Sequence, residues 1–131
     1  MTKAETQKRP FYVLVMEDNP AHAELLTEIL DRHFAPVIIH TVDTIRAGFE
    51  FLSQTEYDII LTDSTVGGDP LNLQLKEMRK RYKLIPIIVI TGRGDESLAA
   101  QLVRKGATEY LVKTRETLDS LPHILERYLK K

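Results

Sequence analysis

Five polar residues stand directly behind short apolar runs, and their types suit the handling of a hard cation. Glu17 and Asp18 follow Phe11–Met16, Asp63 follows Ile59–Thr62, Thr91 follows the run 87–90, and Lys113 follows Glu109–Val112. If these runs are parallel strands of one sheet, the side chains share one rim: three carboxylates, one hydroxyl and one ammonium. Two bare carboxylates about 4 Å apart repel by roughly 4 kcal/mol at an effective dielectric of about 20. Such a cluster needs a cation or a shared proton. Every donor is a hard oxygen, with no Cys and no spaced His pair, which favours Mg²⁺ over zinc or copper. Lys113 offsets part of the charge. Any one of these residues alone reads as a helix cap or a solvated acid; the coincidence at four strand ends carries the reading.

The elements that must position them are legible as a rhythm. Phe11–Met16 is apolar on both faces, as in a buried parallel strand. Asn19 and Pro20 supply an N-cap and a first-turn proline. Leu25, Leu26, Ile29, Leu30 and Phe34 then mark a helix that Pro36 ends. Val37–Val42 reads as a strand at an edge, because His40 and Thr41 are polar. Ile45, Phe49 and Leu52 mark a second helix with Gly48 in its middle. Ile59–Thr62 is a third strand. The loop at Gly67 and Gly68 is expected to be flexible and to lead to a helix capped by Asp69, with Leu71, Leu75, Met78 and Tyr82 on its inner side. Pro86 opens a fourth strand, and a helix over 95–105 closes at Gly106. Glu109–Val112 is a fifth strand, and Leu118, Leu121, Leu125 and Tyr128 place a last helix. Five strand–helix repeats predict an α/β fold in three layers. It is a doubly wound five-stranded parallel sheet of order 2-1-3-4-5, flavodoxin-like, with helices on both faces. Ligands of such sheets lie beyond the carboxyl ends of the strands.

Composition narrows the function. The 131 residues make one domain, read as a flexible leader over 1–9 and a folded unit over 10–131. Eighteen Lys and Arg against nineteen Asp and Glu leave a charge of −1, so no global basic excess points to nucleic acid or an anionic membrane. The absence of cysteine excludes disulfides and Cys nucleophiles. With no signal-like or membrane-length apolar stretch, a cytoplasmic protein is expected. His22, His33, His40 and His123 lack metal spacing, and His22, His33 and His123 read as helix-surface residues. Lys76, Arg79, Lys80, Arg81 and Lys83 read as a solvated face complementing a helix C-terminus.

Four segments together carry a family resemblance: 14–20 (LVMEDNP), 57–63 (YDIILTD), 86–92 (PIIVITG) and 106–113 (GATEYLVK). The chain resembles the receiver domains of two-component response regulators over most of its length. The resemblance implies that Asp63 is a phosphoacceptor, taking a phosphoryl group from the phosphohistidine of a sensor histidine kinase or a histidine phosphotransfer protein. It implies that Glu17, Asp18, Asp63 and the backbone carbonyl of Thr65 hold Mg²⁺ or Mn²⁺. Thr91 and Lys113 would contact the phosphoryl group, and Thr91 and Tyr110 would form a switch. The implied protein is a signalling switch, not an enzyme beyond self-phosphorylation and autodephosphorylation. It would act on an unidentified protein target without binding nucleic acid or membrane directly. As a monomer or weak homodimer, it would use the fourth helix, fifth strand and fifth helix.

Four features depart from the family pattern. Glu17 stands where Asp is commoner. Thr114 replaces the proline that usually follows the lysine, so a trans Lys113–Thr114 bond is expected, a cis bond there costing about 3–4 kcal/mol. The segment 64–70 (STVGGDP) lacks the usual Pro and Asn-Gly turn. Arg93 lies two residues past Thr91, close to where water would approach an acyl phosphate, and reads first as a solvated loop arginine. The alternative function is a degenerate receiver that binds partners without phosphorylation. A flavodoxin is disfavoured because Glu17 and Asp18 repel its phosphate, and a haloacid-dehalogenase-type phosphatase lacks its Asp-x-Asp motif.

Overall fold

The computed structural model describes residues 9–130, so all but Arg9 of the expected leader lies outside the described residues. The strands are β1 (Phe11–Met16), β2 (Val37–Val42), β3 (Ile59–Thr62), β4 (Thr65–Val66), β5 (Asp69–Pro70), β6 (Ile87–Thr91) and β7 (Glu109–Val112). The helices are α1 (Pro20–Phe34), α2 (Ile45–Leu52), α3 (Leu75–Arg81), α4 (Glu96–Lys105) and α5 (Arg115–Leu125). The main sheet runs β2-β1-β3-β6-β7, all parallel. With the small β4–β5 hairpin set aside, this is the expected 2-1-3-4-5 order.

Two apolar layers hold the sheet between helices. On one face Leu14, Met16, Ile60, Ile87 and Val89 pack with Ile45 and Leu52 of α2, Leu75 and Met78 of α3, and Leu102 of α4. On the other, Val13, Val15, Ile59, Leu61, Ile88 and Ile90 pack with Leu26, Leu30 and Phe34 of α1 and Leu121 and Leu125 of α5. Residues 13–16 and 59–61 are fully buried, which explains why these strands read as unbroken apolar runs. Each such side chain contributes roughly 1.5–3 kcal/mol by leaving water. Gly48 lets α2 approach β1, since a Cβ there would lie 2.4 Å from the Met16 sulfur.

Register places the site. Met16 is level with Thr62, so Glu17 and Asp63 leave their strands at the same height. Thr91 is level with Val112, which puts Lys113 one step beyond it. The caps follow the sequence signals: the Asn19 side chain accepts from the Ala21 and His22 N–H groups, and Asp95 accepts from Leu98. The Lys113–Thr114 bond is trans, and Thr114 caps α5 by accepting from Thr117. Among the described residues no helix is long and apolar enough to cross a membrane.

Two expectations are corrected. Asp69 is not a helix cap, because the chain turns a two-residue hairpin at Gly67 and Gly68. Gly67 and Gly68 both hold positive φ, 60° and 83°, and pair Thr65–Val66 antiparallel with Asp69–Pro70. That pairing consumes Asp69 and Pro70. The chain then makes a 3-10 turn at Leu71–Leu73 before α3 starts. The basic run is also not simply a solvated face. Arg79 is partly buried and donates to the carbonyls of Gly106, Tyr82, Lys83 and Ile85 at 2.7–3.1 Å, tying the end of α3 to the α4–β7 turn. Burial pushes its pKa down.

Candidate functional site

The rim beyond β1, β3, β6 and β7 gathers most of the residues singled out from sequence. Glu17 is buried, and its Oε1 accepts from Lys113 Nζ at 2.7 Å while Oε2 accepts from the Asn19 N–H at 3.2 Å. Lys113 Nζ also lies 3.6 Å from Asp63 Oδ2. The Glu17 and Lys113 side chains are 2% and 10% exposed, whereas that of Asp63 is 20% exposed. Asp63 is therefore the carboxylate of this trio most open to an incoming group. Its other oxygen, Oδ1, accepts from the Ser64 backbone N–H at 2.6 Å.

Thr91 ends β6 almost fully buried, with its hydroxyl 2.9 Å from that of Ser64. Its Oγ1 also accepts from the Arg93 N–H at 3.3 Å, and its carbonyl accepts from the Lys113 N–H at 2.7 Å. Lys113 and Thr91 are thus linked through the backbone. Tyr110 on β7 is half-buried, and its hydroxyl donates to the Arg93 carbonyl at 2.5 Å. This bond connects Tyr110 to the loop that Thr91 opens. Arg93 itself is exposed.

Asp18 is exposed beside the pair, and Thr65 sits at the first position of β4, two residues past Asp63. Among the described residues no three His, Cys, Asp or Glu side chains are gathered to hold a metal ion. The donor chemistry still fits a hard cation: Glu17, Asp18, Asp63 and the Thr65 carbonyl offer only oxygen. Lys113 compensates the Glu17 charge across their 2.7 Å contact.

Two site residues were not singled out from sequence. Ser64 bridges Asp63 and Thr91, and no sequence spacing signals a contact across 27 positions. His22 is not simply a surface residue of α1. Its Nδ1 lies 3.0 Å from Lys113 Nζ and 3.7 Å from Glu17 Oε1. Its place in the first turn of a helix that opens over the strand ends was the available signal.

Comparison with known proteins agrees with this geometry. The family model described as "Response regulator receiver domain" matches residues 13–125. The methanogenesis regulatory protein FilR1 of Methanothrix harundinacea is 29% identical over 91% of this chain. The chain spans only 27% of that relative's length. The phosphorylated cyanobacterial phytochrome response regulator RcpA superposes with a TM-score of 0.83 at 20% identity, covering 93% of this chain and 96% of its own. The receiver domain of sensor histidine kinase PA1611 from Pseudomonas aeruginosa, solved with magnesium in its active-site cleft, gives 0.79 at 21% identity, covering 94% and 100%. At these identities the solved structures speak for the fold, and the family match over most of the chain speaks for descent. The sheet order, the acid pair behind β1, and Asp63, Thr91 and Lys113 on one rim agree with that match, and the chain belongs to the response regulator receiver domain family of two-component systems.

Proposed function

We propose that this receiver accepts a phosphoryl group on Asp63 from a phosphohistidine of a sensor histidine kinase or histidine phosphotransfer protein. One observation carries the reading. Asp63 is the more open of the two carboxylates that meet Lys113, with that ammonium 3.6 Å away and the buried Ser64–Thr91 hydroxyl pair beside it. Phosphoryl transfer needs mainly positioning and neutralisation of the equatorial oxygens. A carboxylate oxygen of Asp63 attacks phosphorus as the P–N bond breaks. The imidazole leaves with the bonding electron pair, and an aspartyl phosphate remains. Lys113 moves from Glu17 toward the new phosphoryl oxygens, and Thr91 donates its hydroxyl hydrogen to one of them. Glu17, Asp18, Asp63 and the Thr65 carbonyl are the residues that would hold Mg²⁺ or Mn²⁺, whose charge neutralises the phosphoryl oxygens. Tyr110, bonded to the Arg93 carbonyl, reports the movement of the Thr91 loop to the face of α4, β7 and α5. That face is the proposed contact for a downstream protein or a weak homodimer. The receiver unit is proposed to span 10–131 and to work in the cytoplasm.

The test is intact-mass measurement after incubation with Mg²⁺ and acetyl phosphate. One phosphate adduct is expected, absent from Asp63→Ala. The second reading is a receiver that binds partners without phosphorylation, and the closed Lys113–Glu17 pair is the observation that favours it. Absence of any adduct from acetyl phosphate or from phosphorylated kinase decides for that reading.

A further inference from the structure

Ser64 has no part in the roles given above to Asp63 and Lys113, yet it joins Asp63 to Thr91. Both hydroxyl residues are buried, Ser64 at 3% and Thr91 at 1% exposure. The Ser64 hydroxyl stands 2.9 Å from Thr91 Oγ1 and donates toward Asp63 Oδ1 at 3.4 Å. The Arg93 N–H, the other partner of Thr91 Oγ1, is a donor only. The Ser64 oxygen is therefore the acceptor within this group for the Thr91 hydroxyl hydrogen. A serine hydroxyl both donates and accepts, and its hydrogen rotates to suit.

We propose that Ser64 is a positioning residue that aims the Thr91 hydroxyl before and after Asp63 is phosphorylated. The inference rests on the reading of Asp63 as phosphoacceptor. With a bare carboxylate, Thr91 donates to Ser64 and Ser64 donates toward Asp63. With a phosphoryl group in place, Thr91 turns its hydrogen to a phosphoryl oxygen and Ser64 donates to Thr91. Both states keep the Ser64–Thr91 hydroxyl contact, which holds the Thr91 rotamer while the loop after it shifts. Alanine at position 64 can do neither job, whereas threonine can do both.

The experiment compares the full chain with S64A, S64T, T91A and S64A/T91A. The first readout is the initial rate of adduct formation with Mg²⁺ and acetyl phosphate. S64A is expected to slow it about three- to tenfold, the worth of one hydrogen bond, and S64T to restore it. On the T91A background the same change is expected to have no further effect, because the aimed group is gone. An equal loss on both backgrounds overturns the proposal, since a general structural defect acts without Thr91. The second readout is the three-bond coupling to the Thr91 methyl in the unphosphorylated protein. It should report one rotamer in wild type and S64T, and averaging in S64A. An unchanged coupling in S64A overturns the proposal whatever the rates. If wild type forms no adduct, the phosphoacceptor reading fails by itself, and the coupling still decides the part played by Ser64.

Discussion

At the scale of single residues, the compensation of Glu17 by Lys113 is the strongest electrostatic commitment in the site. Both side chains are nearly buried, so removing one partner leaves an unpaired charge out of water. Lys113→Met should lower stability by about 3 kcal/mol in urea unfolding, and adding Glu17→Gln should recover most of that loss. A loss that the second change does not reverse would mean that Lys113 acts through its packing. The same pair competes with a cation for Glu17. Removing the ammonium should therefore tighten Mg²⁺ binding, seen as a larger rise in Tm per added Mg²⁺ for Lys113→Met than for wild type. Asp18→Asn should shrink that rise in either background. The Glu17–Lys113 contact spans 96 positions of the chain, and the types of both residues at strand ends made them candidates without showing that they touch. His22 was read only as a helix-surface residue, because its place in the first turn of α1 does not by itself show that Lys113 lies across from it.

At the scale of elements, the hairpin of β4 and β5 is where the local reading and the fold diverge. An Asp-Pro pair after two glycines is a sound helix start, but two adjacent left-handed residues also make a tight β-turn. The fold selects the turn because Val66 is then fully buried and Leu71 follows it into the same core layer. Gly67 additionally lies against the loop after β2, where a Cβ would stand 2.6 Å from the Asp43 carbonyl oxygen, whereas Gly68 faces open space. Gly68→Ala should therefore cost only the left-handed penalty, about 1–2 kcal/mol, and Gly67→Ala distinctly more. Equal costs by chemical denaturation would show that the Asp43 contact yields easily. Arg79 works at the same scale, as a clamp between α3 and the turn at Gly106. Its role was hidden in a run of basic residues whose other members are exposed.

At the scale of the whole molecule, one sheet with a helix layer on each face brings remote tyrosines under cover. Burial raises the pKa of Tyr57 above 10.0, and its hydroxyl meets His40 Nδ1 at 2.6 Å. Burial also raises that of Tyr128, followed by the hydrogen bond and charge of Glu109. A phenol whose folded pKa exceeds its unfolded one contributes stability that is whole below the unfolded pKa and lost as pH rises through the folded value. Urea midpoints should thus hold steady up to about pH 9 and fall above about pH 10. The alkaline fall should be shallower in Tyr57→Phe and Tyr128→Phe, and an unchanged slope in both would assign it to other groups.

The order of the five main-sheet strands and five helices, the two apolar faces of the sheet and the residues at its carboxyl rim were determined by the sequence alone. They depend on local properties: apolar period, β-branched runs, Asn19 and Asp95 as caps, and Pro36, Pro86 and Gly106 as punctuation. Tertiary structure alone decided that Glu17 faces Lys113, that Ser64 holds Thr91, that Arg79 turns inward and that 65–70 folds as a hairpin. Each of these depends on which groups lie across the fold. A side chain chooses its rotamer, and a loop its path, by the charges, carbonyls and apolar space it meets there, which neighbours in sequence do not specify.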